Sequence, residues 1–336
     1  MDVVILGAGL AGLVAARALR AQGASVALVD RSDVPGGRLA SRRIGAATLD
    51  HGAQFFTVRS HAFAALVRAW TDEGCPIRVW SHGFAHAPTI AAGPDAAETG
   101  TDGHPRYVVG DGMQTLGRHL AVGTDARFAA PATAVAPSRR GWRVVMREGR
   151  VLEAKALICT PPLPESLGLL NAGGVDAGDA AARLRCVRFE PCLVLLAVLD
   201  RPVGLPPPGG VQFAGGPVTW LADNATKGVS AQPALTVHAA ADWSVAHDED
   251  SDGPIAAALL ALSAPWTRDA IVERAAVARW RHSRPVEPLR DRCLVFEGPA
   301  GPLVLAGDAF GGAKVEGAAL SGLAAAAQVQ ASLALR

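Results

Sequence analysis

The sequence predicts an α/β protein in which a Rossmann-like domain is joined to a second, mainly antiparallel α+β domain. The first observation is a short apolar strand, a glycine-rich turn and a helix over residues 2–22. The second is the continuous apolar run of residues 192–199, CLVLLAVL, followed by strand-like stretches near 211–214, 218–222 and 234–239. A strand–turn–helix–strand order is typical of parallel sheets, whereas successive strands without intervening helices favour antiparallel pairing.

Length and composition agree with a globular chain of two domains. The protein has 336 residues, of which 50% are hydrophobic and 19% are charged. Domains of roughly 100–200 residues then predict two of them. The formal net charge of +1, with basic residues scattered along the chain, argues against nucleic-acid binding. The five cysteines lack the spacing of a metal site, so we expect thiols in a reducing compartment and no bound metal.

The sequence also bears on location. The first residues, MDVVILGAGLAGL, carry Asp2 instead of a basic segment and are interrupted by glycines, unlike a signal peptide. No uninterrupted apolar run reaches the roughly 18 residues of a membrane-spanning helix. We therefore expect a cytoplasmic protein without membrane contact, and the sequence leaves its oligomeric state open.

The N-terminal segment has the spacing of a dinucleotide-binding unit. Gly7 permits a tight turn, Gly9 allows the backbone to approach a pyrophosphate, and Gly12 allows close packing of helix on strand. The N-terminus of the helix favours phosphate. Asp30 follows the second predicted strand and can accept hydrogen bonds from a ribose. A glycine-rich turn without a ligand is the alternative, but strand, glycines, helix, strand and acid occur here in order.

Two further segments bear on which dinucleotide binds. Gly37 and Arg38 can bring the backbone close to a ligand and place a guanidinium at a second phosphate, although a plain hairpin would share this sequence. A late apolar strand ends in Gly307 and Asp308, and a helix follows it. An acid and a helix N-terminus can bind a cofactor hydroxyl and the negative charge of a reduced flavin, although a core strand with a packing helix would also fit. These segments bear on the choice between FAD and NAD, and the late strand and helix would suit a flavin.

The intervening segments predict a mixture of helices and strands. Apolar residues at helical spacing predict helices over residues 61–70 and 113–120. Residues 85–105 predict an exposed loop or edge hairpin. Residues 254–279 predict a helix that Pro265 divides into two pieces. Further strands of the first domain are predicted at residues 133–136, 142–146 and 156–159.

These motifs together resemble the flavin amine oxidase superfamily, and within it the renalase family, particularly its bacterial members. The narrower resemblance runs along nearly the whole chain, and KVEGAALSG and GAQFFT are its most specific parts. It implies a p-hydroxybenzoate hydroxylase-like fold with non-covalently bound FAD. The stretches that carry it are GGRLASRR…LDHGAQFFTVRS, RYVVGDGMQTL, WLADNATK, VHAAADWSVAH, RWRHSRP and AGDAFGGAKVEGAALSG.

The resemblance also implies a domain division and a set of cofactor contacts. The FAD-binding domain would comprise residues 1–60, 104–162 and 291–336, and the substrate domain residues 61–103 and 163–290. The dense polar and aromatic stretch LDHGAQFFTVRS would then run beside the isoalloxazine ring. The residues expected at the cofactor are Gly7, Gly9, Ala11, Gly12, Asp30, Arg31, Gly37, Arg38, His51, Gly52, Ala53, Gln54, Phe55, Val135, Gly307, Asp308, Val315, Glu316 and Ala318.

Four residues of the predicted substrate domain are candidates to face the substrate: Asn224, His238, Trp243 and His282. An aromatic or amide wall would hold a flat ring parallel to the flavin, with reacting atoms about 3–3.5 Å apart. Hydride transfer from a dihydropyridine needs little acid–base help, so no residue is assigned as a general base.

Three functions are weighed. The resemblance implies oxidation of the 1,2- and 1,6-dihydro isomers of NAD(P)H by hydride transfer to flavin N5, giving NAD(P)+ and, with dioxygen, hydrogen peroxide. An oxidase of a small amine is the alternative, although one tyrosine, Tyr107, gives an aromatic cage little material unless tryptophan substitutes. A flavin redox sensor without turnover is the third, but the interaction tails expected of it are not seen.

Overall fold

A computed structural model describes residues 1–334 of the chain, and these residues form twenty strands and eight helices. The strands are β1 (Val3–Leu6), β2 (Val26–Val29), β3 (Ser41–Ile44), β4 (Ala47–Asp50), β5 (Ile77–Ser81), β6 (Ala85–Ala87), β7 (Glu98–Thr99), β8 (Arg106–Val109), β9 (Asp125–Arg127), β10 (Ala132–Ser138), β11 (Gly141–Met146), β12 (Val151–Ala154), β13 (Ala156–Cys159), β14 (Phe189–Leu199), β15 (Gly210–Phe213), β16 (Val218–Asp223), β17 (Ala234–Ala239), β18 (Val272–Pro285), β19 (Leu294–Phe296) and β20 (Leu303–Leu305). The helices are α1 (Leu10–Ala21), α2 (His61–Asp72), α3 (Gln114–Ala121), α4 (Leu163–Ala172), α5 (Ala180–Arg185), α6 (Ala241–Ala246), α7 (Asp252–Thr267) and α8 (Val315–Ala334).

The first sheet is the Rossmann-like layer that the glycine-rich N-terminus predicts. Its six strands lie in the order β19-β20-β13-β1-β2-β9. All neighbours are parallel except β19 and β20, which are antiparallel. Strands β1 and β2 are buried at every residue, because helices cover one face of the sheet and the small sheet β10-β11-β12 covers the other, and this explains their unbroken apolar sequences. The α/β fold class predicted from the sequence is confirmed.

The second sheet is mainly antiparallel, as predicted. Its seven strands lie in the order β18-β14-β17-β16-β15-β6-β7, and β15 and β6 form a parallel pair within it. Alternate residues of β14 contribute to two different buried clusters. Leu193, Leu195 and Ala197 belong to one, whereas Val194 and Leu196 belong to the other. The sheet is therefore apolar on both faces, which is why the sequence of β14 is a continuous apolar run.

One part of the sequence-based prediction is wrong. Residues 254–279 do not form two helices separated at Pro265. Helix α7 includes Pro265 close to its C-terminal end, and strand β18 follows it. The helix-favouring Glu, Arg and Ala residues at the start of β18 adopt the extended conformation because β18 pairs with β14 along most of its length. Tertiary pairing here overrides local helix propensity.

Helices α2 and α4 pack against the first layer. Phe63 and Trp70 of α2 share a buried cluster with β1, and Leu163 and Leu167 of α4 join the cluster on the other face of that sheet. The domain boundaries predicted above stay a prediction, and residues 335 and 336 of the predicted last segment lie outside the described residues. Among residues 1–334, no helix combines the length and hydropathy needed to span a bilayer.

The contact between α1 and α8 generates the first testable prediction. A Cβ atom on Gly322 of α8 would lie 2.2 Å from the carbonyl oxygen of Ala11 in α1, so only glycine fits. We expect Gly322→Ala to lower the free energy of unfolding by about 1–3 kcal/mol, because the two helices must separate. Urea unfolding of the purified protein with bound cofactor measures this change.

Gly168→Ala is the matched control. Gly168 lies within α4, and a Cβ there would meet no heavy atom of the described residues within 4 Å. Alanine is the better helix former by about 0.5–1 kcal/mol, so this variant should be at least as stable as the parent protein. Equal stability of the two variants would show that the close helix contact does not constrain position 322.

Candidate active site

The glycine turn between β1 and α1 is built as the sequence predicts for a pyrophosphate. Gly7 has a φ of +96°, and a Cβ on Gly12 would lie 1.9 Å from the carbonyl oxygen of Gly7. These two glycines are required by the turn itself. Gly9 is different, because a Cβ there would meet nothing in residues 1–334 within 4 Å. The backbone at Gly9 therefore faces open space, as a close approach by a ligand requires.

The start of α1 offers donors to an anion. Gly9 is the N-cap residue and, having no side chain, gives the first-turn amides no capping hydrogen bond. Ala11 and Gly12 lie in that first turn. Amide groups left without a capping partner at a helix N-terminus are available to phosphate. Asp30 lies beside the turn, where its carboxylate accepts hydrogen bonds from the backbone N–H of Ala8 at 2.5 Å and of Ser32 at 2.7 Å.

An ion pair joins two predicted cofactor-binding segments that lie 270 residues apart in the sequence. The guanidinium of Arg38 donates to both carboxylate oxygens of Asp308, each at 2.6 Å. Arg38 also donates to the carbonyl oxygens of His282 and Ser283 in β18, each at 3.2 Å. Gly37 lies against the glycine turn, since its Cβ would be 3.1 Å from the Cα of Gly9. Arg38 thus reaches the first turn, the late strand and the second sheet.

The start of α8 contacts the segment that follows β4. Glu316 accepts hydrogen bonds from the backbone N–H of Arg59 at 2.8 Å and of Ser60 at 2.9 Å. Its neighbours Val315 and Ala318 pack against the buried cluster of the first layer. The backbone N–H of Gly307 donates to the Ser321 hydroxyl at 2.8 Å.

Two further predicted cofactor contacts lie elsewhere on the first layer. Arg31 forms an ion pair with Glu165 at 2.9 Å. Val135 is fully buried in β10 and belongs to the cluster beneath β13.

Asp50, the last residue of β4, is the most densely bonded group of the site. One carboxylate oxygen accepts from the Ser41 hydroxyl at 2.5 Å and from the Met113 N–H at 2.8 Å. The other accepts from the Lys227 ammonium at 2.6 Å. Its carbonyl oxygen accepts from the Thr236 hydroxyl at 3.0 Å. A single residue therefore links β4, the start of α3 and the second sheet.

Lys227 is fully enclosed. The side chains of Lys227 and Asp50 are both 0% exposed, and the ammonium lies 5.3 Å from the centre of the Trp80 ring. Burial lowers the pKa of the Lys227 ammonium, and the carboxylate of Asp50 opposes that shift. Removal of either partner would leave an uncompensated charge in the interior.

The loop after β4 is held against the Arg38 segment and the second sheet. The N–H of Ala53 donates to the carbonyl oxygen of Arg38 at 2.8 Å, and a Cβ on Gly52 would lie 2.1 Å from that same oxygen. His51 stacks on Trp280 with ring centres 5.3 Å apart, and the indole N–H of Trp280 donates to the carbonyl oxygen of His51 at 2.8 Å. The predicted contact residues His51 to Phe55 therefore form one fixed strip.

Strand register brings several side chains onto the face of the second sheet that meets this strip. Residues directly opposite each other in a sheet share a face. His238 lies opposite Val194 and Trp220, Thr236 lies opposite Leu196, and Trp280 lies opposite Cys192. Val194, Leu196 and Cys192 belong to the cluster that includes Leu49 of β4. Trp220, Thr236, His238 and Trp280 thus form what we term the shared face.

Four aromatic rings lie together at one end of the shared face. Their ring centres are 4.8–6.4 Å apart, within the range of favourable aromatic pairs. Arg106 lies 5.4 Å from the centre of one of them, Phe84. We call this set the aromatic cluster, and its members are Phe55, Trp80, Phe84 and Trp220.

Two histidines in the site are held neutral. Burial lowers the pKa of His51 to about 4, and the Asp50 carboxylate only partly opposes the effect. Burial also lowers the pKa of His238 to about 3, and the nearby His51 and Lys227 add to the shift. Neither imidazole carries a charge near neutral pH, so neither provides a cation to the site.

Five buried side-chain polar atoms have no hydrogen-bond partner among residues 1–334, and three of them belong to the strip or the shared face. These three are Gln54 Oε1, Trp220 Nε1 and His51 Nδ1. Buried polar atoms are nearly always paired, and exceptions mark a bound group or a functional role. This observation and the open backbone at Gly9 both fit an organic ligand that lies between the two sheets.

The structure unites three of the four predicted substrate-facing residues around the Asp50 and Arg38 segments. Asn224 is fully buried and accepts from the Asp50 N–H at 3.3 Å, while its own amide donates to Thr236 at 2.9 Å. His238 lies 3.3 Å from the Gln54 amide nitrogen. His282 lies beside the Arg38 segment and pairs with Glu165 at 3.2 Å.

Trp243 lies apart from the other three. It is in α6, stacks on His247 with ring centres 3.9 Å apart, and packs on the opposite face of the second sheet. We therefore do not retain it as a substrate-facing residue.

Sequence reasoning did not select Lys227, Trp80, Phe84, Trp220 or Trp280. Lys227 and Trp220 do occur in WLADNATK, one of the stretches used for the resemblance, but the pattern carried no signal of their burial. A lysine is almost never fully buried unless it is paired. The alternation of Trp220 and Ala222 on one face of β16 was the available signal for Trp220.

Comparison with known protein families agrees with this geometry. Residues 75–330 match the profile described as flavin containing amine oxidoreductase, and residues 5–70 match that of an NAD(P)-binding Rossmann-like domain. The cyclohexylamine oxidase of Brevibacterium oxydans IH-35A has a similar fold, with a TM-score of 0.74 and 14% sequence identity over 99% of each chain.

Curated relatives match over shorter regions. The hydroxyneurosporene desaturase of Rubrivivax gelatinosus is 44% identical over 57 residues, which is 17% of this chain and 11% of the relative. The putrescine oxidase of Kocuria rosea is 44% identical over 66 residues, which is 20% of this chain and 14% of the relative. The aligned region thus spans only a small part of either relative.

The buried ion pair yields the second testable prediction. Lys227→Met leaves the Asp50 carboxylate buried without its partner, and we expect it to lower the free energy of unfolding by about 3–5 kcal/mol. The double variant Lys227→Met/Asp50→Asn removes both charges and should recover at least about 2 kcal/mol of that loss, since paired residues couple. Urea unfolding of the four members of the cycle measures both values.

Lys155→Met is the control for the loss of a lysine charge. Lys155 pairs with Asp2 at 2.8 Å but is 66% exposed, so its removal should change stability by less than about 1 kcal/mol. If the losses in unfolding free energy of Lys227→Met and Asp50→Asn simply add in the double variant, the two side chains do not stabilise each other.

The neutral histidines yield the third testable prediction. Their pKa values are lowered in the folded protein, so below about pH 6.5 the unfolded chain binds protons that the native protein does not. Their contribution to stability is complete above that pH and is lost as the pH falls toward about 3. Each histidine adds a slope of about 1.4 kcal/mol per pH unit.

Between pH 6.5 and pH 5, the unfolding free energy of His238→Gln should fall less steeply than that of the parent protein, by up to about 1.4 kcal/mol per pH unit. Unfolding free energies at several pH values within this window measure the difference. The control is His86→Gln, at an exposed position of β6, which should follow the parent protein. A parallel pH dependence in all three proteins would rule out a neutral, buried His238.

Proposed function

Because the chain belongs to the flavin-containing amine oxidoreductase family, we propose that it is a renalase-like, FAD-dependent oxidase of isomeric dihydronicotinamide dinucleotides. The substrates would be the 1,2- and 1,6-dihydro forms of NAD(P)H, and the products NAD(P)+ and hydrogen peroxide. The proposal rests on one observation, that the carboxylates of Asp50 and Asp308 near the shared face are each paired with a cation.

The two carboxylates near the shared face are both in ion pairs. Asp50 is neutralised by Lys227, and Asp308 is neutralised by Arg38. Both histidines of the strip and the shared face are neutral at physiological pH, because burial lowers their pKa values. A neutral dihydropyridine ring suits this environment, whereas a protonated amine would require an unpaired carboxylate.

The aromatic cluster supplies the flat, apolar wall that a nicotinamide ring requires. Phe84 and Trp220 are buried, and Phe55 joins the cluster to the strip, which the family resemblance implies lies beside the flavin. Such walls exclude water and hold a planar ring against a second planar ring. The backbone of residues 51–53, hydrogen-bonded to the carbonyl oxygens of Arg38 and Ala40, would hold the strip against the flavin.

The reaction requires little from acid–base groups of the protein. A dihydropyridine that gives up a hydride becomes an aromatic pyridinium, so the two electrons and the hydrogen leave together and no base is needed. Bound FAD supplies the hydride acceptor and passes the electrons to dioxygen. The protein binds and orients the substrate and excludes water from it. His51 and His238 line the site as neutral side chains and take up no proton.

Oxidation of a small amine is the second candidate. The observation in its favour is the aromatic cluster, because aromatic rings can flank a substrate amine as well as a nicotinamide. The cluster is built from tryptophan and phenylalanine, whereas the sequence has a single tyrosine, Tyr107. The relatives named above include a putrescine oxidase and a cyclohexylamine oxidase. An amine substrate would have to enter in its neutral form, since the described carboxylates at the shared face are paired.

Anaerobic reduction separates the two candidates and is the fourth testable prediction. The holoprotein is mixed in separate experiments with 1,6-dihydro-NAD, 1,2-dihydro-NAD, putrescine and cyclohexylamine, and the visible absorbance of the flavin is followed. We expect one or both dihydro isomers to bleach the flavin within seconds, because the hydride donor is preformed. The amines should leave the spectrum unchanged for minutes.

Ordinary NADH serves as the control, because it has the same groups with the hydride at a different ring carbon. Admission of air after bleaching should restore the spectrum and release one hydrogen peroxide per substrate oxidised. Bleaching by an amine with no response to either isomer would replace the proposed function with the second candidate.

A further inference from the structure

Two of the unpartnered atoms in the candidate active site belong to side chains that are almost wholly buried. Gln54 is 6% exposed and Trp220 is 7% exposed, yet Gln54 Oε1 and Trp220 Nε1 have no partner in the described part of the chain. A buried polar atom without a partner costs about 1–3 kcal/mol. Two such atoms on side chains that both border His238 indicate that a ligand with matching polar groups belongs there.

The orientation of the Gln54 amide is fixed by its surroundings. Its nitrogen donates to the carbonyl oxygen of Asp50 at 2.7 Å and lies 3.3 Å from that of Gly52. It also lies 3.3 Å from Nε2 of His238, which accepts a hydrogen bond when the imidazole is neutral. Reversal of the amide would place its oxygen against two carbonyl oxygens. Oε1 is therefore the free end, and it can only accept.

Trp220 offers the complementary group. An indole N–H can only donate. Trp220 lies directly opposite His238 in the sheet, and Gln54 contacts the same imidazole, so the free acceptor and the free donor border one side chain. Trp80 of the same cluster differs, because its indole N–H is already bonded to the carbonyl oxygen of Pro208 at 3.0 Å.

We infer that Gln54 Oε1 and Trp220 Nε1 form a recognition pair for the primary carboxamide of the substrate ring. The inference rests on the proposed function and names the groups that select its substrate. A carboxamide N–H would donate to Gln54 and the carboxamide oxygen would accept from Trp220. An ammonium group offers donors alone and leaves Trp220 unpaired, and a carboxylate offers acceptors alone and leaves Gln54 unpaired.

The third unpartnered atom does not select between ligands. Nδ1 of His51 belongs to a neutral imidazole, which can donate or accept depending on its tautomer. The selective power lies with the two side chains whose roles are fixed. They are specificity-determining residues for the proposed reaction, and neither has to gain or lose a proton.

Equilibrium binding of the product provides the fifth testable prediction. The probes are NAD+ and its 3-acetylpyridine analogue, which keeps the ring carbonyl and replaces the amide NH2 by a methyl group. Dissociation constants are measured with the holoprotein by calorimetry. We expect NAD+ to bind about tenfold more tightly, because the analogue leaves Gln54 Oε1 without a donor.

The variant Trp220→Phe removes the free indole N–H, and Trp80→Phe is its matched control in the same cluster. Both lose a similar ring area. Trp220→Phe should weaken binding of both probes about tenfold beyond the effect of Trp80→Phe, since both probes keep the carbonyl. The preference for NAD+ over the analogue should persist in both variants, because it depends on Gln54.

Equal affinity for the two probes, no binding of either, or the same loss in both tryptophan variants would overturn the inference. Such a result is distinct from failure of the proposed function. That function fails when neither dihydro isomer bleaches the flavin, whereas the recognition pair fails when the isomers react but the carboxamide makes no difference to binding.

Discussion

The buried ion pair between Asp50 and Lys227 is the interaction on which the arrangement of the site depends. Its members lie 177 residues apart in the sequence, one at the end of β4 and the other after β16 of the second sheet. A charge without its partner in this interior would cost several kcal/mol, so the two segments cannot separate while the protein is folded. The carbonyl oxygen of Asp50 then orients Thr236 and Gln54. The strip of residues 51–55 is thereby fixed against the shared face.

Burial of this pair also sets the electrostatics of the site. Burial is the main cause of the lowered pKa of His238, and the nearby His51 and the enclosed Lys227 cation add to it. The site therefore combines a strong internal charge pair with imidazoles that stay neutral. That combination suits hydride transfer, in which the substrate ring becomes positively charged only as the hydride leaves. A free carboxylate would bind the cationic product more tightly and slow its release, and the described carboxylates at this face are paired.

The sequence predicted those features that depend on local chain geometry. Gly7, Gly9 and Gly12 lie as their spacing indicates, because a turn between a buried strand and a helix admits few conformations. The late Gly307 and Asp308 could be placed at a strand end for the same reason. Features that depend on distant contacts were missed. Nothing near Lys227 shows that its amine reaches Asp50, and β18 resembles a helix until β14 pairs with it. Trp243 was misjudged because α6 turns it away from the shared face.

The two ion pairs of the site have the same N–O distance, but the loss of a partner has a different cost in each. Arg38 and Asp308 meet at 2.6 Å with 28% and 14% of their side chains exposed, whereas Lys227 and Asp50 meet at 2.6 Å with 0% and 0% exposed. Water reaches the partly exposed pair of Arg38 and Asp308 and can replace a lost partner at small cost. A buried lysine has no such replacement. The chain thus places a water-accessible pair beside the glycine turn and a permanent pair at the shared face, where a change of charge would disturb the histidines.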